Sequence, residues 1–396
     1  MEFTQELFQF IEDHISEDPS RLILNAKRYP NIDVPFCVEQ IIVRRQVKDK
    51  LPSWSKNPKM LFPSKLASEQ CSSELAAKYK QRLVMAARSG CDLTGGLGID
   101  SSFLAQGCEK FYYFERFPLY CQVAKHNFNE LGLNQIEVIE GDSTKLFESL
   151  PQLDFIYVDP ARRSDCNKRI FELTDCEPDV SALYYTLLNK AKRLIVKLSP
   201  MADINRVVEI LPDTIEIHVV SVKNECKELL VVVEQRNGGE VIDPPIYCVN
   251  FSTNGEENFL FTRQEEKEAQ NIYVTKPELY LYEPNVSLLK AGAFKTIVTR
   301  YRLKKLHKHS HLYTSDELIE GFPGRRFRIE STEFFSKKWL QGALKVSPQA
   351  NIATRNFPMS VEELRKRSKI SDGGELYLFA TTMADDQKVI IYSRKV

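Results

Sequence analysis

The sequence predicts an α/β protein, on three observations. From residue 90 onward, short apolar runs alternate with helical stretches of roughly ten residues or more, the pattern of parallel βαβ units. A glycine-rich turn, Gly95-Gly96-Leu97-Gly98, stands where the first run should meet its helix. Carboxylates, Asp92, Glu115, Asp142 and Asp159, stand at the ends of four consecutive runs.

Taken in order, the chain reads as helical up to about residue 80. Phe3, Leu7, Phe8, Phe10 and Ile11 recur at near-helical spacing, as do Val38, Ile41 and Ile42. A proline-rich loop (Pro52, Pro58, Pro63) follows, then a helix from Glu69 or Ser72 to Ala87. Strands are predicted at residues 91–94, 110–115, 136–140, 155–159, 193–198, 214–222 and 229–235. The last two are too close for a crossover helix and should form an antiparallel hairpin. Five parallel strands ending in such a hairpin outline a class I methyltransferase sheet of seven strands, whereas a dinucleotide dehydrogenase usually stays parallel.

Residues 236–240, Arg-Asn-Gly-Gly-Glu, mark a boundary. Beyond it come strands at 247–252 and 259–262, a Glu-rich segment at 264–270 and an apolar helix over 286–299. A helix at 360–369 and strands at 376–381 and 388–393 finish the chain. The predicted domains are a helical region 1–68, a Rossmann-like domain 69–238, an α+β segment 239–330 and a C-terminal domain 331–396.

Composition excludes several classes. The 396 residues, 43% of them hydrophobic, exceed one ordinary domain. No apolar run approaches the ~20 residues of a membrane span, and the N-terminus lacks the features of a signal peptide. Nine scattered cysteines without a Cys-x-x-Cys oppose a disulfide framework or a zinc ribbon and fit a cytoplasmic protein. Lys+Arg and Asp+Glu both number 54, yet residues 290–396 hold 21 basic against 11 acidic side chains. Such asymmetry suggests a polyanionic partner.

Glycines at a strand–helix junction let the backbone approach a ligand closely. A carboxylate at the end of the next strand can accept both hydroxyls of a ribose, and one after the third strand can accept from an adenine amino group. Read alone, these features suit a dinucleotide as well. In open α/β sheets the crevice lies at the carboxyl ends of the strands, so Asp92, Glu115, Asp142 and Asp159 should ring one pocket.

Asp92-x-Thr94-x-Gly96-Leu97-Gly98-x-Asp100, Glu115-Arg116-x-Pro118, Asp159-Pro160 and Val196-Lys197 resemble the S-adenosylmethionine-dependent methyltransferases, especially the small-subunit ribosomal RNA guanine-N2 enzymes. The likeness covers about residues 65–236. The whole chain is similar to a bacterial family that joins such a domain to a ferredoxin-like segment and a THUMP-like C-terminal domain. Here the signs are Leu312-Tyr313-Thr314-Ser315, Phe322-Pro323-Gly324-Arg325-Arg326-Phe327 and Arg355-Asn356-Phe357-Pro358.

The resemblance implies that Asp92, Gly95, Gly96 and Gly98 hold the methionine part of S-adenosylmethionine, with Thr94 and Asp100 in the same motif. It gives Glu115, beside Arg116, the ribose, and Asp142, beside Ser143, the adenine. Asp159, Pro160 and Arg162 would face the methyl acceptor. Amino-group methyltransferases place an acid, a proline and an aromatic at this strand end; here Asp159-Pro160 supplies the first two parts, but Ala161-Arg162 stands in place of the proline and aromatic that follow, with Phe171 and Tyr113 as candidate substitutes for the ring. Arg162 can itself stack on a base or bind phosphate. Uridine-C5 chemistry needs a cysteine after the fifth strand, where this chain has Lys197-Leu198-Ser199-Pro200; Cys166 reads as a structural thiol.

Gln70 or Ser73, just ahead of the first strand, could cover the cofactor. Arg300, Arg302, Lys304, Lys305, Arg325 and Arg326, interleaved with aromatics, read as an RNA-binding surface. His307, His309 and His311 alternate but stand among lysines, which favours a basic surface over a metal site. The leading expectation is an S-adenosylmethionine-dependent methyltransferase acting on an exocyclic amine, guanine N2 first, of ribosomal or transfer RNA, with no metal and no membrane. The alternatives are a methyltransferase for a small molecule or protein, a non-catalytic binding module and a dehydrogenase.

Overall fold

The computed structural model describes residues 3–162, 173–235 and 243–396. The chain divides into two compact units, Met1–Thr214 with Leu230–Glu240, and Ile215–Leu229 with Val241–Val396. Among the described residues no helix is long and apolar enough to cross a membrane.

Unit 1 opens with six helices: α1 Gln5–Asp13, α2 Pro19–Leu24, α3 Val34–Gln46, α4 Pro52–Lys56, α5 Lys65–Gln70 and α6 Glu74–Arg82. Thr4, Asp18, Asp33, Ser64 and Ser73 each accept a backbone N–H at a helix start, so the chain breaks where the sequence supplies a cap. Leu7, Phe10 and Ile11 of α1 bury with Leu22, Val38 and Ile41. Two further helices, α7 Ile99–Leu104 and α8 Pro118–Glu130, belong to the βα layer.

The proline-rich loop is tied down by side-chain amides. Gln40 donates to the Phe62 carbonyl at 2.8 Å and accepts the Phe62 N–H at 2.8 Å. Asn127 of α8 treats Leu61 the same way, at 2.8 and 2.9 Å. Each amide satisfies a buried backbone pair that no strand or helix could reach.

The parallel core is β1 Ser89–Asp92, β2 Lys110–Glu115, β3 Ile136–Glu140, β4 Leu153–Val158 and β5 Ala191–Leu198. Register aligns their carboxyl ends: Asp92 faces Tyr113 and Tyr157, Glu115 faces Glu140, and Val158 faces Val196. Next come β6 Thr214–Val222 and β7 Glu225–Glu234, joined by Lys223 and Asn224 at φ 52° and 59°. Two left-handed residues make the tight turn that a hairpin prefers, shorter than the six-residue loop read from sequence. Hydrogen bonding carries the sheet to nine strands rather than seven. The two extra strands are β8 Ile246–Ser252, parallel to β6, and β9 Gly255–Phe261, antiparallel to β8. The order is β9-β8-β6-β7-β5-β4-β1-β2-β3.

Unit 2 also holds a second sheet built from β10 Tyr280–Pro284, β11 Tyr313–Ser315, β12 Gly324–Phe334, β13 Asn351–Arg355, β14 Leu376–Thr382 and β15 Lys388–Lys395. Lys304–Lys305 pairs with β11 at one edge, and the order continues β11-β10-β12-β15-β14-β13. Leu281, Phe327, Phe379 and Ile391 form part of its core. The helix predicted over 286–299 is two, Val286–Ala291 and Thr296–Tyr301, because Gly292 ends the first at φ 83°.

Candidate functional site

A cavity of about 700 Å³ opens at the carboxyl ends of β1, β2 and β4 in unit 1. Three of the four strand-end acids, Asp92, Glu115 and Asp159, line it. So do Thr94, Gly95, Gly96, Gly98, Asp100, Arg116, Ser143 and Arg162 from the sequence-derived set. Asp142 does not. Its carboxylate turns back to accept the Thr144 N–H (3.1 Å) and hydroxyl (2.7 Å) as the cap of the short helix Ser143–Leu146. The Thr144 hydroxyl holds the Asp142 carboxyl below its usual range. The cavity wall there is Gly141, Ser143 and Thr144. Pro160 is buried, and Asp159, Ala161 and Arg162 form the wall around it in sequence.

The glycine turn is fixed by its neighbours. A Cβ on Gly95 would lie 2.3 Å from the Tyr113 ring, so only glycine fits against that side chain. The buried Tyr113 hydroxyl donates to the Gly96 carbonyl at 2.7 Å, which makes Tyr113 a floor to the turn and unavailable to stack on a base. Gly96 has φ +58° and would meet only the Thr94 carbonyl, 3.8 Å away, so the backbone faces open cavity there.

Glu115 accepts the Gly96 N–H on Oε2 at 2.9 Å and the Arg116 and Phe117 N–H groups on Oε1 at 2.7 and 2.9 Å. Three backbone donors orient the carboxylate and leave a lone-pair position on Oε2 for a ligand hydroxyl. Arg116 forms an ion pair with Glu177 at 3.0 Å.

Asp92 is 1% exposed and turned inward. It accepts from the Thr94 N–H (2.8 Å), the Thr94 hydroxyl (3.1 Å) and the Ser101 hydroxyl (2.6 Å). Burial pushes its pKa up to about 7 against those hydrogen bonds. Thr94 in turn accepts the Asp159 N–H at 2.7 Å, which joins the end of β1 to the end of β4.

Two ion pairs lay behind this wall unforeseen as site features. Lys80 of α6 is fully buried and donates to Asp100 at 2.8 Å and to Ser72 at 2.7 Å. Asp100 also accepts from Ser72 and Tyr157, each at 2.8 Å. Burial acts to raise the Asp100 pKa, but the Lys80 charge and then that of Lys197 outweigh it and hold it low. Lys197, at the end of β5, donates to Asp159 at 2.5 Å. Their signal in the sequence is weak: Lys197 stands there only as a motif match, and Lys80 is one unmarked residue of the predicted helix that ends at Ala87. Gln70 lines the cavity with Leu66, Ala67 and Cys71, whereas Ser73 caps α6. Cys166 and Phe171 lie outside the described residues.

The basic segment of unit 2 departs from the surface read in the sequence. Lys305 is 1% exposed, with its ammonium over the Phe294 and Tyr313 rings at 5.3 and 5.7 Å. Burial lowers its pKa to about 8, and at 1% exposure its ammonium is not on the surface for RNA to meet. Strand alternation sends Lys304 outward to Glu278 and Lys305 inward. Arg325 is bound to the buried Glu283 through Nε at 2.6 Å, and Arg355 reaches the same carboxylate at 2.6 Å. Arg300 lies over Phe259 at 4.8 Å and 3.6 Å from Glu265. Arg302 is exposed at a helix end, and Arg326 is half-buried. His307 is buried and accepts from the His309 N–H (3.1 Å); Asn356 is 2.8 Å from the same nitrogen. Among the described residues no group of three His, Cys, Asp or Glu is placed to hold a metal.

Comparison with known proteins adds the following. A candidate methyltransferase from Porphyromonas gingivalis W83 is similar over 100% of both chains, at 36% identity and a TM-score of 0.89. An rRNA methylase from Streptococcus thermophilus is 15% identical over 41% of this chain and 96% of its own, with a TM-score of 0.31. A candidate methyltransferase from Streptococcus mutans in complex with SAH is 15% identical over 41% of this chain and 97% of its own, with a TM-score of 0.32. Residues 280–323 match a family described as a ferredoxin-like domain, and residues 324–395 one described as THUMP domain-like. No curated protein matches the chain.

Proposed function

The chain belongs to the same family as the candidate methyltransferase of Porphyromonas gingivalis W83, and on that premise we propose that it is an S-adenosylmethionine-dependent RNA methyltransferase. The proposed acceptor is an exocyclic amine, guanine N2 foremost, of ribosomal or transfer RNA. The observation that carries the cofactor reading is the Glu115 carboxylate, held by three backbone donors with acceptor capacity left over beside the bare Gly96 backbone.

The donor set fits the group. Glu115 would accept a ribose hydroxyl, the Gly95–Gly98 turn would meet the methionine part, and Ser143 and Thr144 would flank the adenine. Asp92 would act through Thr94 by shaping the turn, since its oxygens are already engaged. S-adenosylmethionine supplies a methyl group already activated by its sulfonium charge.

The residues of the chain then have to align the acceptor and take a proton, because alignment provides most of the rate in such a transfer. Asp159 would accept a hydrogen from the amine, orient its lone pair and receive the proton it sheds. Lys197 would keep that carboxylate in place, and Arg162 would meet the base or its phosphate. The match of residues 324–395 to a THUMP domain-like family supports an RNA acceptor.

Mass spectrometry of modified nucleosides from total RNA of a deletion strain tests the reading. Loss of one methylated nucleoside is the expected result; an unchanged nucleoside profile removes RNA as the acceptor. The neutralisation of Lys304 by Glu278 and of Arg325 by Glu283 favours a second reading, a small-molecule or protein acceptor. It predicts that charge reversal at Arg302 and Arg326 leaves turnover untouched.

A further inference from the structure

A second hollow, in the helical part of unit 1, takes no part in methyl transfer as described. It measures about 700 Å³, and Arg44 of α3 contributes to its lining at 7% exposure. The Arg44 Nη2 donates to the carbonyls of Pro58 at 2.5 Å and Met60 at 2.8 Å. Its Nε is buried without an acceptor, and no hydrogen bond from Nη1 occurs among the described residues. One N–H on Nε and two on Nη1 make three donors of the guanidinium's five with no protein acceptor. Nor does any carboxylate stand within ion-pair distance of Arg44 among the described residues. Burial lowers the Arg44 pKa against the charge of Glu12, which acts on it from beyond ion-pair distance, and a guanidinium so placed is a costly state that an anion would relieve.

Arg45, Lys48 and Lys56 line the same hollow, together with the Ser55 hydroxyl and one carboxylate, Glu12. Arg45 spends its donors on the carbonyls of Ile15 (2.6 and 3.0 Å) and Glu17 (2.6 Å). Lys48 and Lys56 are exposed and make neither an ion pair nor a hydrogen bond among the described residues. Four cations against one acid leave an excess of three positive charges around a concave surface. An acceptor that takes several donors at once, as phosphate oxygens do, matches that surface.

We propose that this hollow is a binding site for backbone phosphates of RNA, separate from the methyl-acceptor site; the choice of RNA rests on the function proposed above. Its place in the chain supports that choice. The segment that begins at Ser55 and Lys56 ends at Leu66–Ser72, a wall of the methyl-transfer cavity. Lys50 pins this segment through the Ser68 and Glu69 carbonyls at 2.9 and 2.7 Å. An RNA strand gripped at the first place is held by the same stretch of backbone that closes the second.

The test uses the full chain and a fluorescein-labelled single-stranded RNA of mixed sequence, with binding followed by anisotropy. Arg44 is buried, and its removal could unfold the region, so the probing variant is Lys48→Glu/Lys56→Glu, with Lys27→Glu/Lys125→Glu as a control of equal charge. The proposal expects at least tenfold weaker RNA binding in the first variant and a salt dependence flattened by about 1.4, two contacts at about 0.7 each. S-adenosylmethionine affinity should stay unchanged, and the control should lose less than threefold. Equal RNA affinity in the first variant and the wild type, equal loss in the control, or no RNA binding by the wild type overturns it. A parallel assay of methyl transfer to total RNA separates the two readings. Transfer with unaltered binding in the first variant sinks the phosphate site alone, whereas lysine-dependent binding without transfer sinks the RNA methylation reading alone.

Discussion

The Lys197 ammonium lies 2.5 Å from the Asp159 carboxylate, at the ends of neighbouring parallel strands. Lys197 is the more covered of the two, 13% exposed against 38%, so the acid faces the cavity and the lysine stands behind it. Asp159→Asn should leave S-adenosylmethionine affinity within about twofold and cut transfer by about 10²–10⁴-fold, the range for a lost proton acceptor. Lys197→Met should cost about 10–100-fold in kcat, with the cofactor Kd unmoved, because a misplaced carboxylate spoils alignment. Calorimetric cofactor titrations beside single-turnover transfer check both; equal loss in binding and transfer would move Asp159 out of the acceptor pocket.

Glu115→Ala should weaken S-adenosylmethionine binding by about 1.5–3 kcal/mol, the range for a hydrogen bond to a charged group. Because Gly96, Arg116 and Phe117 also lose their acceptor, Glu115→Gln should recover part of the loss. Unchanged affinity in equilibrium dialysis would remove Glu115 from the site.

Thr94→Val deletes the hydroxyl that accepts the Asp159 N–H and donates to Asp92. A part-buried N–H left without a partner costs about 1–3 kcal/mol, which urea denaturation will register. Thr94→Ser should restore most of it.

Much of this arrangement is legible in the sequence. β2, β3 and β6 have the predicted bounds, because their apolar stretches end at charged or turn-forming residues. β12 was missed: Gly-Arg-Arg-Phe-Arg-Ile-Glu-Ser-Thr-Glu-Phe carries charges along a strand that is largely exposed beyond Phe327. Asp92, Glu115 and Asp159, the strand-end acids that line the cavity, are legible because each sits at a local boundary, whereas the turn of Asp142 into its own helix cap is not. Lys80 and Asp100 were not seen as a pair, since no short spacing links them and only the packing of α6 on α7 brings them together. Lys305 was misread because a two-residue strand gives too little alternation to tell its inward side from its outward one.

The raised pKa of Asp92 has a sign. Its folded value of about 7 lies above the ~3.9 of an unfolded aspartate, so the native state binds the extra proton. Stability from this group is therefore greatest at low pH and is lost as pH climbs from about 4 to about 7, then levels off. Asp92→Asn should flatten that slope, on the order of a few kcal/mol, in urea midpoints taken across the interval.

Lys305 predicts the opposite trend at higher pH. A folded pKa of about 8 below the ~10.4 of an unfolded lysine means the native state gives up its proton first. Wild-type stability should rise between about pH 8 and 10.5, and Lys305→Met should abolish the rise while leaving the melting temperature at pH 7 equal or higher. RNA affinity should not change in that variant, since the ammonium is out of reach of solvent.

The paired amides of Gln40 and Asn127 decide how this protein can be trimmed. A fragment starting at the first strand would strip the Asn127 side chain of the Leu61 N–H and carbonyl that it pairs with, and would discard the residues around Leu66 that line the cavity. Any shortened version meant to test the proposed cofactor binding must therefore retain the helices ahead of β1, which pack with the βα layer of the same unit.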